Sequence, residues 1–181
     1  GAIESRFATN LFVAGGSKGD VIGIADIDND GLLDAFVCHD VEPTVYYIND
    51  GNGNLQYYQS TVGTAPFNLG DYSSGGHYGS IFVDYDNDGD LDLFIGSRSI
   101  PGEYPLTPAS RLLRNDSKSG EIKFVEVQLD TIKACGMVTS AVWQDMDGDG
   151  FVELVVSEDW GITRIFKNEK GTLSDVSKSA N

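Results

Sequence analysis

The sequence predicts an all-β fold built from three blade-like sheets, and three observations support this prediction. An acidic motif occurs three times, as "DIDNDGLLD" from residue 26, "DYDNDGDLD" from residue 84 and "DMDGDGFVE" from residue 145. The motifs begin 58 and 61 residues apart, and regular periods of this size indicate solenoids or propellers. Each motif also lies between segments rich in β-branched and aromatic residues, which are typical of strands.

Each repeat of about 60 residues is predicted to hold four antiparallel strands. One strand precedes the acidic motif ("VIGIA", "SIFV" or "SAVWQ"), and a second follows it ("LLDAFV", "LDLFI" or "VELVV"). After a crossing loop, the segments "VYYINDGNGNLQYY", "RLLRNDSKSGEIKFVEV" and "RIFKNEKGTLSDV" each indicate two strands joined by an Asn-led polar turn, which is a hairpin signal. A four-stranded antiparallel unit of this kind is a propeller blade.

The three repeats are expected to form a single domain over residues 1–181, divided at about 1–62, 63–130 and 131–181. Closed propellers have four to eight blades, so three blades would leave open edges. We therefore expect the chain to be part of a larger propeller, while an open fold and a homo-oligomer that closes six blades stay as alternatives.

The second repeat differs from the others by an insertion. The hairpin asparagine follows the first loop aspartate by 23 residues at Asn49 and Asn168, but by 31 residues at Asn115. The excess falls in residues 97–110, which contain three of the five prolines of the chain. Because proline disfavours helices and central strands, a stiff, exposed connector is predicted there.

The acidic motifs are predicted to bind about three calcium ions. Aspartates this close repel one another unless they are solvated or a cation lies among them. Their spacing matches the first nine positions of an EF-hand loop, with oxygen ligands at positions 1, 3, 5, 7 (backbone carbonyl) and 9 and a glycine at position 6. The predicted ligands are Asp26, Asp28, Asp30, Leu32 and Asp34; Asp84, Asp86, Asp88, Asp90 and Asp92; and Asp145, Asp147, Asp149, Phe151 and Glu153.

The loops are not expected to belong to EF-hands. An EF-hand needs a glutamate at position 12 and a helix on either side, whereas Val37, Ile95 and Val156 occupy that position within predicted strands. Glu153 departs from the aspartate pattern, but its carboxylate still reaches the predicted ion. A solvated acidic turn explains a single motif, and three copies argue against that alternative.

The charge of the chain excludes some classes of partner. Its formal net charge is −16, and 13 of its 28 acidic residues lie in the three motifs, so the acidity is local. Three divalent ions would leave about −10, which does not suit nucleic acid or anionic membranes. No segment approaches the ~20 apolar residues of a membrane span, and "GAIESRF" resembles neither a signal peptide nor a natural start.

Calcium suggests a compartment that the cysteines leave open. Loops of this kind fill at extracellular calcium rather than at cytosolic levels, which favours an extracellular or periplasmic location. Cys38 and Cys135 are too few for a disulfide framework. We expect two buried thiols, with a single bridge as the alternative.

We expect no enzymatic activity. The chain contains no H-E-x-x-H or P-loop sequence. The carboxylates outside the loops that deserve notice are Glu103, Glu158 and Asp159, and a glycoside hydrolase would need two of them in one cleft. We expect these acids to be solvated and Trp143 and Trp160 to pack between blades, with sugar binding at Trp160 as the alternative.

Three further segments have a possible binding role. Tyr104 lies in the proline-rich insertion, where a rigid exposed loop suits surface recognition. His77 and Tyr78 are expected in a loop after "SSGG". "KGD" at residues 18–20 is similar to an integrin-recognition tripeptide, although a turn before a strand is the simpler explanation.

The chain resembles the VCBS or FG-GAP-like repeat proteins, and among them the secreted propellers related to cartilage acidic protein that often carry an ASPIC/UnbV domain. The resemblance includes "LFIGSRSIPGEYPLTPASRLLRND", "GMVTSAVWQDMDGDG" and "VVSEDWGITRIFKNEKG" besides the acidic motifs, and integrin alpha propellers are more distant relatives. It implies a propeller of about seven blades with calcium in peripheral hairpin loops. The departures are Glu153, "EDW" in place of "GEW" and a length of only three blades.

Two classes of function follow from the sequence. The first is a calcium-stabilised extracellular binding or adhesion module that recognises an unknown protein or glycan. The second is a polysaccharide-active enzyme or its non-catalytic module.

Overall fold

The computed structural model describes residues 21–38, 45–59, 76–100, 102–118 and 122–177. These residues form twelve strands and one four-residue helix. The strands make three separate four-stranded sheets, in each of which the strand order follows the chain and every neighbouring pair is antiparallel. The all-β prediction with three four-stranded antiparallel units is confirmed.

The three sheets, called blades 1 to 3 here, repeat one another. Blade 1 comprises β1 (Val21–Ala25), β2 (Asp34–Cys38), β3 (Val45–Asn49) and β4 (Leu55–Gln59). Blade 2 comprises β5 (Gly76–Val83), β6 (Asp92–Ser99), β7 (Arg111–Asn115) and β8 (Phe124–Glu126). Blade 3 comprises β9 (Val138–Gln144), β10 (Glu153–Glu158), β11 (Arg164–Glu169) and β12 (Thr172–Asp175). Each sheet falls inside one of the repeats that the sequence predicts.

The hydrophobic core lies between the blades. Because successive residues of a strand point to opposite faces of its sheet, the middle blade contributes side chains to the core on both of its sides. Leu93 and Ile95 of β6 pack with blade 1 residues such as Phe36, and all three are almost fully buried. Phe94, which lies between them on β6, packs with blade 3 residues such as Phe166. Blade 2 is therefore buried on both faces, and we call its contacts with blades 1 and 3 the first and second seams.

The link from blade 2 to blade 3 includes the short helix α1 (Asp130–Lys133). Ile132 and Cys135 from this link are buried in the second seam. Cys135 is a free thiol, which agrees with the expectation of buried thiols, and burial raises its pKa to about 12. The side chain of Cys38 lies outside the described residues.

The loops of the blades emerge at two ends. In a four-stranded antiparallel meander, the first and third connections lie at one end and the second at the other. The acidic loops and the hairpin turns therefore share one end, which we call the acidic end, and the described crossing loops of blades 2 and 3 lie at the opposite end. No helix within the described ranges is long and apolar enough to span a membrane.

Two expectations need comment. His77 and Tyr78 lie in strand β5, not in a loop, because β5 extends back to Gly76 through two register shifts beside β6. The "KGD" tripeptide and His39 lie outside the described residues.

Candidate metal centres

Each acidic loop brings three carboxylates together at the acidic end. In every loop these come from positions 1, 3 and 9, with one oxygen from each residue lying within 4.8 Å of the other two. Three oxygens so close form the donor set that hard cations such as calcium prefer. The three groups are Asp26, Asp28 and Asp34; Asp84, Asp86 and Asp92; and Asp145, Asp147 and Glu153.

The carboxylate at position 9 is buried in every group and joins three segments of its blade. Both oxygens of Asp92 accept backbone N–H groups, from Tyr85 within the loop (3.2 Å) and from Asn115 at the end of β7 (2.8 Å). Asp34 repeats the arrangement with Ile27 and Asn49, both at 2.8 Å.

Glu153 makes the equivalent bonds in blade 3, to Met146 (2.8 Å) and Asn168 (3.4 Å). The carboxylate of Glu153 therefore occupies the same place as those of Asp34 and Asp92, although its side chain is longer. In all three blades the first residue of the second strand fastens the acidic loop to the third strand.

The loops wrap around the carboxylate at position 1. Asp84 accepts N–H groups from Asp88 (3.1 Å) and Gly89 (3.1 Å), and Asp26 makes the corresponding bonds to Asp30 (3.0 Å) and Gly31 (2.8 Å). The glycine at position 6 has positive φ in every copy (Gly31 +88°, Gly89 +100°, Gly150 +91°), a conformation that favours glycine.

The carboxylates at position 5 lie outside the three close groups. Asp30, Asp88 and Asp149 each accept the N–H of the residue at position 7, at 2.8, 3.0 and 2.9 Å. They stay predicted ligands, as do the carbonyls of the position-7 residues Leu32, Asp90 and Phe151.

An unpaired oxygen in blade 1 supports the fit of a cation. Asp28 is only 6% exposed, and its Oδ1 has no hydrogen-bond partner within the described part of the chain. A buried carboxylate oxygen without a partner is costly, and a coordinated cation would remove that cost. The residues of this loop therefore fit a bound divalent ion.

Burial shifts the titration of the carboxylates. It raises the pKa of Asp34 to about 6 and that of Asp92 to about 7. The backbone N–H groups that donate to these carboxylates favour the charged form and partly oppose this rise. Burial also raises the pKa of Asp28 and Asp86, with the neighbouring aspartates adding to the effect. A cation in the group would favour the charged carboxylates.

The third loop has a cation of its own. Lys167 of β11 donates a hydrogen bond to Oδ2 of Asp147, the position-3 carboxylate. This contact lowers the pKa of Asp147 and raises the pKa of Lys167. The third centre thus differs electrostatically from the other two.

The hairpin asparagines hold the acidic loops in place, a role that the sequence did not reveal. The side-chain amides of Asn49, Asn115 and Asn168 donate to the carbonyl at position 8 of their own loop, at 3.3, 3.1 and 3.0 Å. Their constant spacing after the loops of blades 1 and 3 was the available signal, but it indicated only a turn.

An exposed aromatic surface lies at the opposite end. Trp160 is 80% exposed and contacts the ring edge of Tyr104 (60% exposed), with 6.5 Å between ring centroids. Leu106 and Ile162 are also exposed there. The expectation that Trp160 packs between blades is wrong, because the loop between β10 and β11 carries it away from the core, whereas Trp143 does pack against the second seam.

The acids near Trp160 differ in environment. Glu158 is not solvated: its side chain is 5% exposed and pairs with Arg164 at 2.7 Å. Asp159 forms a half-exposed ion pair with Arg98 at 2.7 Å, and Glu103 is exposed. Glu158 and Asp159 are thus both paired with arginines.

Residues 26–95 match the family model described as FG-GAP-like repeat. The match includes the first two acidic loops, and the third loop, outside it, has the same architecture. Residues 26–95 are thus similar to an FG-GAP-like repeat, and the described sheets are blade-like. No curated protein matches the chain.

Proposed function

We propose that this protein is a calcium-stabilised binding module that works outside the cytosol, in an extracellular or periplasmic setting. The proposal rests on the carboxylate group that recurs in all three blades. The position-9 carboxylate of each group joins the loop to two strands of its blade. An ion in each group would neutralise crowded charge and hold the loop to its sheet. The role of calcium is then structural.

The expected size of this effect is large. With free calcium at about 100 times the dissociation constant, each site stabilises the fold by about 2.7 kcal/mol, and three sites by about 8 kcal/mol. For a chain of this length that corresponds to roughly 15–30 °C in Tm.

Calorimetric titration with calcium tests the proposal together with thermal unfolding in calcium and in EDTA. We expect about three ions per chain and a clear fall of Tm in EDTA. Asp84→Asn/Asp86→Asn should remove one ion, whereas Asp159→Asn at the opposite end should remove none. An unchanged Tm in EDTA would contradict the structural role.

We further propose that ligand binding involves the exposed aromatic surface of Tyr104 and Trp160. Exposed aromatic residues beside an arginine are typical of recognition sites, and solvation alone does not favour a tryptophan that is 80% exposed. The partner is a protein or a glycan, as the sequence suggested.

A glycan array in calcium, probed with the wild type and with Trp160→Ala, tests this surface. Binding that is lost in Trp160→Ala and kept in Val142→Ala, an exposed apolar control on blade 3, supports it. Release of reducing sugar from a bound glycan would favour the polysaccharide-active alternative. Glycan binding unaffected by Trp160→Ala would exclude the aromatic surface as the site.

A further inference from the structure

The three candidate centres are connected by hydrogen bonds that cross both seams. In the first seam, the side-chain amide of Asn115 in blade 2 donates to the carbonyl of Ile27 in blade 1 at 3.2 Å. Ile27 lies between the first two carboxylates of its loop, and its own N–H is held by Asp34. The backbone N–H of Asn115 is in turn held by Asp92 of the second centre.

The second seam repeats this arrangement. The amide of Asn168 in blade 3 donates to the carbonyl of Tyr85 in blade 2 at 2.7 Å. Tyr85 occupies the position in the second loop that Ile27 occupies in the first, and its N–H is held by Asp92. The N–H of Asn168 is held by Glu153 of the third centre.

The buried carboxylates Asp34, Asp92 and Glu153 are therefore the nodes of one continuous chain of hydrogen bonds. Each link between nodes consists of one loop residue, Ile27 or Tyr85, and one asparagine. Asn115 and Asn168 are both fully buried, so water does not compete for these bonds.

A second set of contacts joins each of the first two acidic loops to the next blade. Asn29 at position 4 of the first loop donates to the carbonyl of Ser117 in blade 2 at 3.1 Å, and Asn87 at position 4 of the second loop donates to the carbonyl of Gly150 in the third loop at 2.9 Å. The third loop has Gly148 at this position and so has no side chain to extend the series.

We propose that the three centres bind calcium cooperatively, with Asn115 and Asn168 as the positioning residues that couple them. The inference rests on the proposed calcium function. An ion that fixes Asp92 also fixes Asn115, which holds the peptide between two ligands of the first centre. The first ion thus orders part of the neighbouring loop. Because the next ion then loses less conformational entropy when it binds, its affinity is higher.

Coupling between binding sites is reciprocal, so the first ion favours the second to the same extent as the second favours the first. Coupled sites typically change one another's affinity by about 5- to 150-fold. We expect a value of at least about fivefold across each seam.

Calorimetric calcium titrations of the full chain test the proposal. A first variant keeps only the first centre, with Asp84, Asp86, Asp145 and Asp147 all replaced by Asn. A second variant keeps the first two centres, with only Asp145 and Asp147 replaced. In the second variant, once the second centre is occupied, we expect the first centre to bind calcium at least fivefold more tightly than it does in the first variant.

Asn115→Ala, introduced into both variants, should abolish this gain, so that both bind calcium at the first centre with equal affinity. The matched control is Asn54→Ala, which removes an exposed asparagine whose amide bonds only Asp50 within its own turn. It should leave the gain intact. A gain that persists in Asn115→Ala would overturn the role of this residue.

The wild-type titration keeps the proposal testable if Asn115→Ala fails to fold. Three ions that bind with independent affinities would overturn the coupling while leaving the calcium function intact. No binding of calcium at all would instead overturn the proposed function itself.

Discussion

At the scale of single residues, one carboxylate performs two tasks in each blade. Asp34, Asp92 and Glu153 begin the second strand, staple the loop to the third strand and contribute an oxygen to the candidate centre. The sequence predicted their place in the ligand pattern, because spacing alone fixes it. Their backbone contacts depend on tertiary packing, which spacing does not contain.

Lys167 offers a test at this scale, because its ammonium group competes with a cation for Asp147. In a variant that keeps only the third centre, Lys167→Met should raise the calcium affinity several-fold, since the ion no longer displaces an ammonium group. Titration calorimetry measures the change.

Lys133→Met is the matched control, because Lys133 pairs with Glu126 and Gln128, away from all three acidic loops. A weaker third centre in Lys167→Met would show that Lys167 supports ion binding rather than opposing it.

At the scale of elements, the strands were predictable and their partners across the seams were not. Alternating apolar residues and Asn-led turns indicate four strands per repeat. Which face of β6 meets which blade follows from register and blade order, which the local pattern does not specify. The local pattern also does not show that Trp160 is exposed. Its neighbours in sequence are strand-like, but the loop that carries it faces outward.

Gly96 in β6 shows how closely the second seam is packed. A Cβ at this position would lie 2.8 Å from Cγ1 of Val138 in β9. Gly96→Ala should therefore lower the stability by about 1–3 kcal/mol, the usual cost of overpacking. Chemical denaturation measures the loss, and Ser140→Ala, an exposed change on β9, should cost little.

The double variant Gly96→Ala/Val138→Ala checks the cause. Because the smaller alanine makes room for the added methyl group, the double variant should be more stable than the sum of the single changes predicts. Simple additivity would mean that Gly96 matters for a reason other than contact with Val138.

At the scale of the whole molecule, the charge of −16 is concentrated in three loops at one end. Composition predicted this concentration, and the structure places the loops next to one another, with Asn29 and Asn87 bridging them. Repulsion between the loops opposes folding when no cation is bound, and salt screens that repulsion.

Salt should therefore stabilise the calcium-free protein more than the calcium-bound protein. In EDTA, raising sodium chloride from about 20 mM to about 500 mM shortens the Debye length from roughly 20 Å to under 5 Å and should raise Tm. In saturating calcium the rise should be smaller. Thermal unfolding followed by circular dichroism measures both, and an equal rise in the two conditions would mean that loop repulsion does not limit stability.

The candidate metal centres and the aromatic surface of Tyr104 and Trp160 lie at opposite ends of the described blades. Under the proposed function, substitutions in the loop that carries Trp160 would change ligand binding without altering the carboxylates that hold the acidic loops to their strands. The same placement would leave the acidic end available for immobilisation or labelling when binding to the aromatic surface is measured.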